Sequence, residues 1–286
     1  MQNEHTVTLI LSCPDRVGIV AAVSQFIAER QGWIVESNYH SDIASGQFFM
    51  RNVILGKSLK QGLEEFSASF KSIADQFQMS WQLVDSSQKK RVVLLVSKQD
   101  HCLVDLLYRW KAKEFDIEIP CVISNHADLR SYVEWHGIPY HHIPVMPETK
   151  IQAYNEVMQR IDEVAADVIV LARYMQILSP EMCSKYPGKV INIHHSFLPS
   201  FIGAKPYHQA FERGVKLIGA TCHYVTEELD QGPIIEQDVV RVDHGDTAED
   251  YVRYGRDVEK AVLARGLKSH LEDRVIINGH RTVVFR

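Results

Sequence analysis

The alternation of apolar and polar positions divides the chain into two blocks. In the first, residues 7–11 form an apolar run of strand length. Residues 16–30 carry Val17, Val20, Ala21, Val23, Phe26 and Ile27 at helical spacing. Residues 33–41 and 47–55 read as strands with Ala44, Ser45 and Gly46 at the bend between them. Leu63, Phe66, Phe70, Ile73, Ala74 and Phe77 restore the helical period over 63–77, and 79–84 close as a strand. The predicted order is βαββαβ, the ferredoxin-like pattern. Polar and basic residues 86–91 read as a linker, placing the domains at 1–85 and 92–286.

The second block alternates strands with helices. Strands are predicted at 92–97, 117–124, 138–142, 168–172, 190–194, 217–225 and 233–240, and helices at 102–113, 129–134, 148–164, 207–213 and 248–271. Such alternation predicts an α/β, Rossmann-like domain with a mostly parallel sheet and helices on both faces. Asn278-Gly279 between apolar runs predicts a terminal hairpin.

Composition narrows the functional classes. With 45% hydrophobic and 23% charged residues, 286 residues suffice for a full core. The formal charge of −5 argues against a general nucleic-acid surface. No apolar stretch approaches the ~20 residues that cross a bilayer, so no membrane association is expected. There is no signal-peptide pattern, and five scattered cysteines contain no C-x-x-C pair; both fit a reduced cytoplasm. None of the 14 histidines falls in a chelating motif such as H-E-x-x-H, and no metal is expected.

The chemistry concentrates in residues 190–200. On a strand, Asn192 and His194 point to one face, about 6–7 Å apart, at the carboxyl end where open α/β sheets form their crevices. An amide donor beside an imidazole suits acyl chemistry. Asp230, on a loop before Gly232, can approach that imidazole. His195 points to the opposite strand face and reads as a structural hydrogen-bonding residue. His141 and His142 end another strand, with a cleft role and a loop role both open.

The segment N-x-H-x-S-x-L-P at 192–199, with Gly203 and Pro206 beyond it, followed about 36 residues later by L-D-x-G-P at 229–233, resembles the folate-dependent formyltransferase family. The resemblance covers almost all of residues 92–271. It implies Asn192, His194 and Asp230 as the catalytic trio. It also implies that the 173–178 loop takes a pterin ring through backbone groups of Met175, Ile177 and Leu178, with Thr226 and Leu229 in the loop that covers the other side. The alternative for Met175, Ile177 and Leu178 is ordinary core packing. Residues 1–85, through the Ser12–Val20 loop, resemble an ACT domain, a small amino-acid-sensing module; this implies an effector site with Asp15 and Asn38 as contacts, or a role in assembly alone. Exposed sheet edges in such a module favour a homo-oligomer.

The acceptor decides between transferase and hydrolase. In glycinamide ribonucleotide transformylases the first strand of this domain runs into a glycine-rich loop, whose amides cradle a phosphate. The corresponding residues 96–103 here contain no glycine, and Asp100 sits at the expected helix start as an N-cap and a repulsive neighbour for phosphate, partly offset by Lys98. The two-domain order and the G-A-K-P-Y-H-Q-A run at 203–210 resemble the formyltetrahydrofolate deformylases. That resemblance implies hydrolysis of 10-formyltetrahydrofolate to tetrahydrofolate and formate, for one-carbon balance and purine synthesis, with no cofactor. The alternatives are transfer to a small amine, or a sensing protein without turnover.

Overall fold

The computed structural model describes residues 4–60, 62–200 and 206–286. Gly203, Ala204 and Lys205 of the 203–210 run lie outside the described residues. The chain forms two units. The first reaches Lys89 and also takes in Asp273–Ile276 and Val283–Arg286; the second comprises Lys90–Glu272 and Ile277–Thr282.

In the first unit, β1 (Thr6–Pro14), α1 (Ile19–Glu29), β2 (Ile34–Asp42), β3 (Gln47–Leu55), α2 (Leu63–Phe77) and β4 (Ser80–Asp85) follow the predicted order. The sheet runs β2-β3-β1-β4, and each pair is antiparallel. β3 and α2 start and stop where their periodicity does. The apolar stripes of both helices meet one sheet face, where Phe26 packs edge-on against Phe66 and Phe70 at 5.1 and 5.2 Å between ring centroids. Helix α1 starts three residues later than predicted. Gly18 precedes it at φ +97°, a left-handed conformation that glycine adopts without strain, so Arg16 and Val17 stay in the turn and Val17 is exposed.

The second unit holds β5 (Lys90–Val96), α3 (His101–Lys111), β6 (Ile117–Glu118), β7 (Val122–Ser124), α4 (Arg130–Trp135), β8 (Tyr140–His142), α5 (Lys150–Glu163), β9 (Val168–Ala172), α6 (Pro180–Lys185), β10 (Val190–His194), α7 (Pro206–Arg213), β11 (Leu217–Tyr224), β12 (Ile234–Arg241) and α8 (Ala248–Leu271). Its mixed sheet runs β12-β11-β10-β9-β5-β7-β8, with β6 beside β5. The strands from β10 through β8 pair in parallel, whereas β11 and β12 are antiparallel.

Four expectations change. Lys90 and Arg91 open β5 instead of ending a linker, because the Arg91 amide donates to Asp167 Oδ2 at 2.8 Å and both residues pair with β6. The single strand expected at 117–124 breaks into β6 and β7 around Pro120, which offers no N–H to a ladder. Helix α6 had no counterpart in the periodicity; Ser179 caps it by accepting from the Met182 amide, and Pro180 occupies its first turn. The last hairpin, β13 (Val275–Asn278) and β14 (Arg281–Val284), turns at Gly279-His280, one residue beyond the predicted pair. Among the described residues no helix is long and apolar enough to cross a membrane.

Candidate active site

Strand β10 is flanked by β9 and β11, so its carboxyl end opens inside the sheet. A cavity of about 330 Å³ sits there. Asn192 and His194, two apart on β10, line its wall, and Asp230 lines it from the loop after β11. Met175, Ile177, Leu178, Thr226 and Leu229 line it too. All eight residues predicted for catalysis and folate contact therefore share one cavity.

His194 Nδ1 lies 3.2 Å from Asp230 Oδ1, with both side chains largely buried. A carboxylate only accepts, so Nδ1 carries the proton and Nε2 is left free. Nε2 is buried with no hydrogen-bond partner among the described residues. Burial alone would push the Asp230 carboxyl up; the hydrogen bond and charge of His194 outweigh it and hold the group well below the usual carboxylate range.

The loop that carries Asp230 is shaped by close approach. Gly232 packs so tightly that a Cβ there would stand 1.7 Å from the Tyr224 carbonyl oxygen. Tyr224 N–H donates to the Pro233 carbonyl at 2.9 Å, which closes the loop onto β11. Asp230 itself adopts φ +57°, a conformation held by its surroundings.

His223, which the sequence analysis did not single out, completes the wall. It pairs in register with Asn192 across β10 and β11. His223 Nδ1–H donates to the Tyr224 carbonyl at 2.8 Å, so in the neutral ring Nε2 accepts from Asn192 Nδ2 at 3.1 Å. That bond fixes the amide's orientation. The available signal was the strand alternation of 217–225, but the antiparallel register was not readable.

Other assignments divide. His195 is corrected: β10 ends at His194, the chain turns, and the His195 ring joins the cavity wall 5.2 Å from the His194 ring. His141 and His142 lie on β8, at the far edge of the sheet from β10, and line no part of this cavity. Met175 and Ile177 are exposed, whereas Leu178 belongs to the core. The Met175 amide donates to Ser97 Oγ and the Ile177 carbonyl accepts from Tyr154 Oη, so those two backbone groups are already engaged. In the first unit, Asp15 accepts from the Ser41 hydroxyl, while Asn38 Oδ1 is buried without a partner among the described residues; neither lines the recess at Arg16–Ala21.

Beneath the start of α3 lies a buried charge network. Glu259 of α8 accepts from His101 Nε2 and Tyr207 Oη, each at 2.8 Å, and sits 3.3 Å from Arg173 Nε. Arg173 Nε also donates to Gln99 Oε1 at 2.9 Å. Burial would raise the Glu259 carboxyl; the His101 hydrogen bond and the Arg173 charge outweigh it and keep it ionised. Asp100 takes the N-cap position, yet its side chain makes no capping bond. His101, Cys102 and Glu259 bring ligand-type atoms within 4.8 Å. The Arg173 guanidinium faces the same carboxylate oxygen, which disfavours a cation there.

Residues 90–267 match the formyl transferase family model. A formyltetrahydrofolate deformylase from Synechocystis sp. is 47% identical over 285 residues, covering 100% of both chains. The chain belongs to the formyltetrahydrofolate deformylase family. A solved deformylase of that family from Pseudomonas syringae pv. tomato is 62% identical, with a TM-score of 0.98 over 100% of this chain and 96% of that one. A glycinamide ribonucleotide transformylase from Symbiobacterium toebii is 28% identical with a TM-score of 0.66, covering 72% of this chain and 98% of its own. The deformylases thus span the whole chain, whereas the transformylase leaves more than a quarter of it unmatched.

Proposed function

We propose that this chain hydrolyses 10-formyltetrahydrofolate to tetrahydrofolate and formate. The observation that carries the reading is the His194–Asp230 pair, which leaves a buried, unpartnered imidazole nitrogen on a residue lining a cavity of about 330 Å³. Water adds to the formyl carbon, charge builds on the formyl oxygen, and the carbon–N10 bond breaks. One water proton passes to N10; the other leaves as formic acid ionises. His194 Nε2 is placed to carry the first proton, and the Asp230 carboxylate stabilises the imidazolium formed in transit. The Asn192 amide, oriented by His223, is placed to donate to the developing oxyanion. Asp230 accepts from His194 Nδ1–H, which favours its orienting role over direct contact with water. Met175, Ile177, Leu178, Thr226 and Leu229 offer the apolar walls for the pterin ring.

Water is favoured over a phosphorylated amine because the ionised Glu259 carboxylate lies beneath the α3 N-terminus and no glycine frees the preceding loop to wrap a phosphate. Formate release from purified protein tests the reading. Release that depends on an added amine would overturn it, as would full activity in Asn192→Ala, His194→Ala and Asp230→Ala.

The βαββαβ order and the antiparallel sheet support an ACT-like role for residues 1–85, with the catalytic part within the second unit, Lys90–Glu272 and Ile277–Thr282. An amino-acid effector near Asp15 and Asn38, self-association through the sheet edge, and formate supply to purine synthesis in the cytoplasm, without metal or cofactor, belong to the same proposal. Calorimetry with amino acids and sedimentation velocity test its first two elements.

A further inference from the structure

The trio leaves the attacking water without a dedicated holder. Asp230 is engaged by His194, and Asn192 Nδ2 by His223. His195 differs from all three. Its ring lines the same cavity and, among the described residues, makes no hydrogen bond. It also borders a neighbouring cavity of about 640 Å³, and among the described residues it is the one residue shared by the two walls. The ring stands between two aromatic neighbours, His194 at 5.2 Å and Tyr207 at 6.2 Å between centroids. Tyr207 is itself tied to Glu259. The following loop is pinned as well: Thr221 Oγ1 accepts from the Leu198 amide and donates to the Ser196 carbonyl.

We propose that His195 is a catalytic residue of the hydrolysis, its neutral imidazole accepting a hydrogen bond from the attacking water and holding that water against the formyl carbon beside His194. This deepens the deformylase reading and rests on it. Burial first, then Arg173 and His194, push the His195 pKa down to about 3, against the opposing pull of Glu259 and Asp230, so its lone pair remains available at neutral pH. A group that weakly basic orients the water and leaves the proton to His194. No bond to His195 forms or breaks.

A nucleophile that needs no such holder separates this role from simple packing. Hydroxylamine attacks as the neutral amine and gives formohydroxamate in place of formate. In His195→Ala, formate release is expected to fall about 10²-fold in kcat with KM unchanged, while formohydroxamate formation in concentrated hydroxylamine falls far less. Equal losses in both reactions, or a rise in KM that accounts for the loss, would overturn the proposal. Unchanged formate release would do the same. His195→Gln, closer in volume, carries the same test if the alanine chain does not fold. Wild-type protein that releases no formate would sink the hydrolase reading itself; active wild type with equally active His195 variants would sink this role alone.

Discussion

Replacing Gly232 with alanine probes the loop that delivers Asp230 without touching a reacting group. The added Cβ would stand 1.7 Å from the Tyr224 carbonyl oxygen, where ordinary contact begins at 3.4 Å. Both partners are backbone, so no side chain can swing aside. The loop must part from β11 by roughly 1.7 Å at that point, breaking the Tyr224–Pro233 hydrogen bond or drawing Asp230 away from His194. Misplacement by ~1 Å in an active site costs on the order of 10²-fold. Gly232→Ala is therefore expected to lose about 10²-fold in kcat for formate release, with a smaller change in KM. Gly279→Ala is the control. Gly279 also resists substitution, at φ +59°, but its Cβ would meet open space. It should cost about 1 kcal/mol of stability in denaturant and leave kcat intact. A Gly232→Ala enzyme with kcat near wild type would refute the claim that this close approach aims Asp230.

Removing the proposed oxyanion donor in Asn192→Ala should lower kcat by about 10²–10³-fold, and removing the proposed proton carrier in His194→Ala by about 10²–10⁴-fold, both read from formate release. His195 and His270 are held near pKa 3, mainly by burial, against 6.5 in the unfolded chain. The unfolded chain therefore binds protons that the folded one does not. Stability should be full above pH 6.5 and fall toward pH 3 by about 1.4 kcal/mol per pH unit per histidine. His270→Gln should show a shallower fall in urea titrations at pH 7 and pH 5, and an unchanged slope would count against this account. Glu259→Gln strips Arg173 of its buried counter-charge and should destabilise the chain by about 3–5 kcal/mol in equilibrium unfolding. Exhaustive chelation should leave formate release unchanged, and a loss restored by a divalent metal would reverse the metal-free reading.

Where one element sees its own period, the sequence suffices. β3, α2, β9, β10 and α8 begin and end where their apolar patterns do, and the placement of Asn192 and His194 on one face follows from strand alternation alone. Boundaries slipped where a single backbone group decided. Gly18 delayed α1, Pro120 split β6 from β7, and six-residue α6 is too short to show a period, although Ser179-Pro180 was its legible start.

Strand alternation placed Asn192 and His194 on one face, and the resemblance of residues 192–199 and 229–233 to the formyltransferase family added Asp230 as their expected partner, because strand geometry and a loop motif are local properties. Tertiary structure decided the rest. Antiparallel pairing of β10 with β11 set His223 against Asn192, the turn after β10 brought His195 back to His194, and α8 carried Glu259 beneath Arg173. Each of these contacts joins groups whose approach depends on register or chain reversal, and a one-residue slip in register would turn every such side chain to the other face.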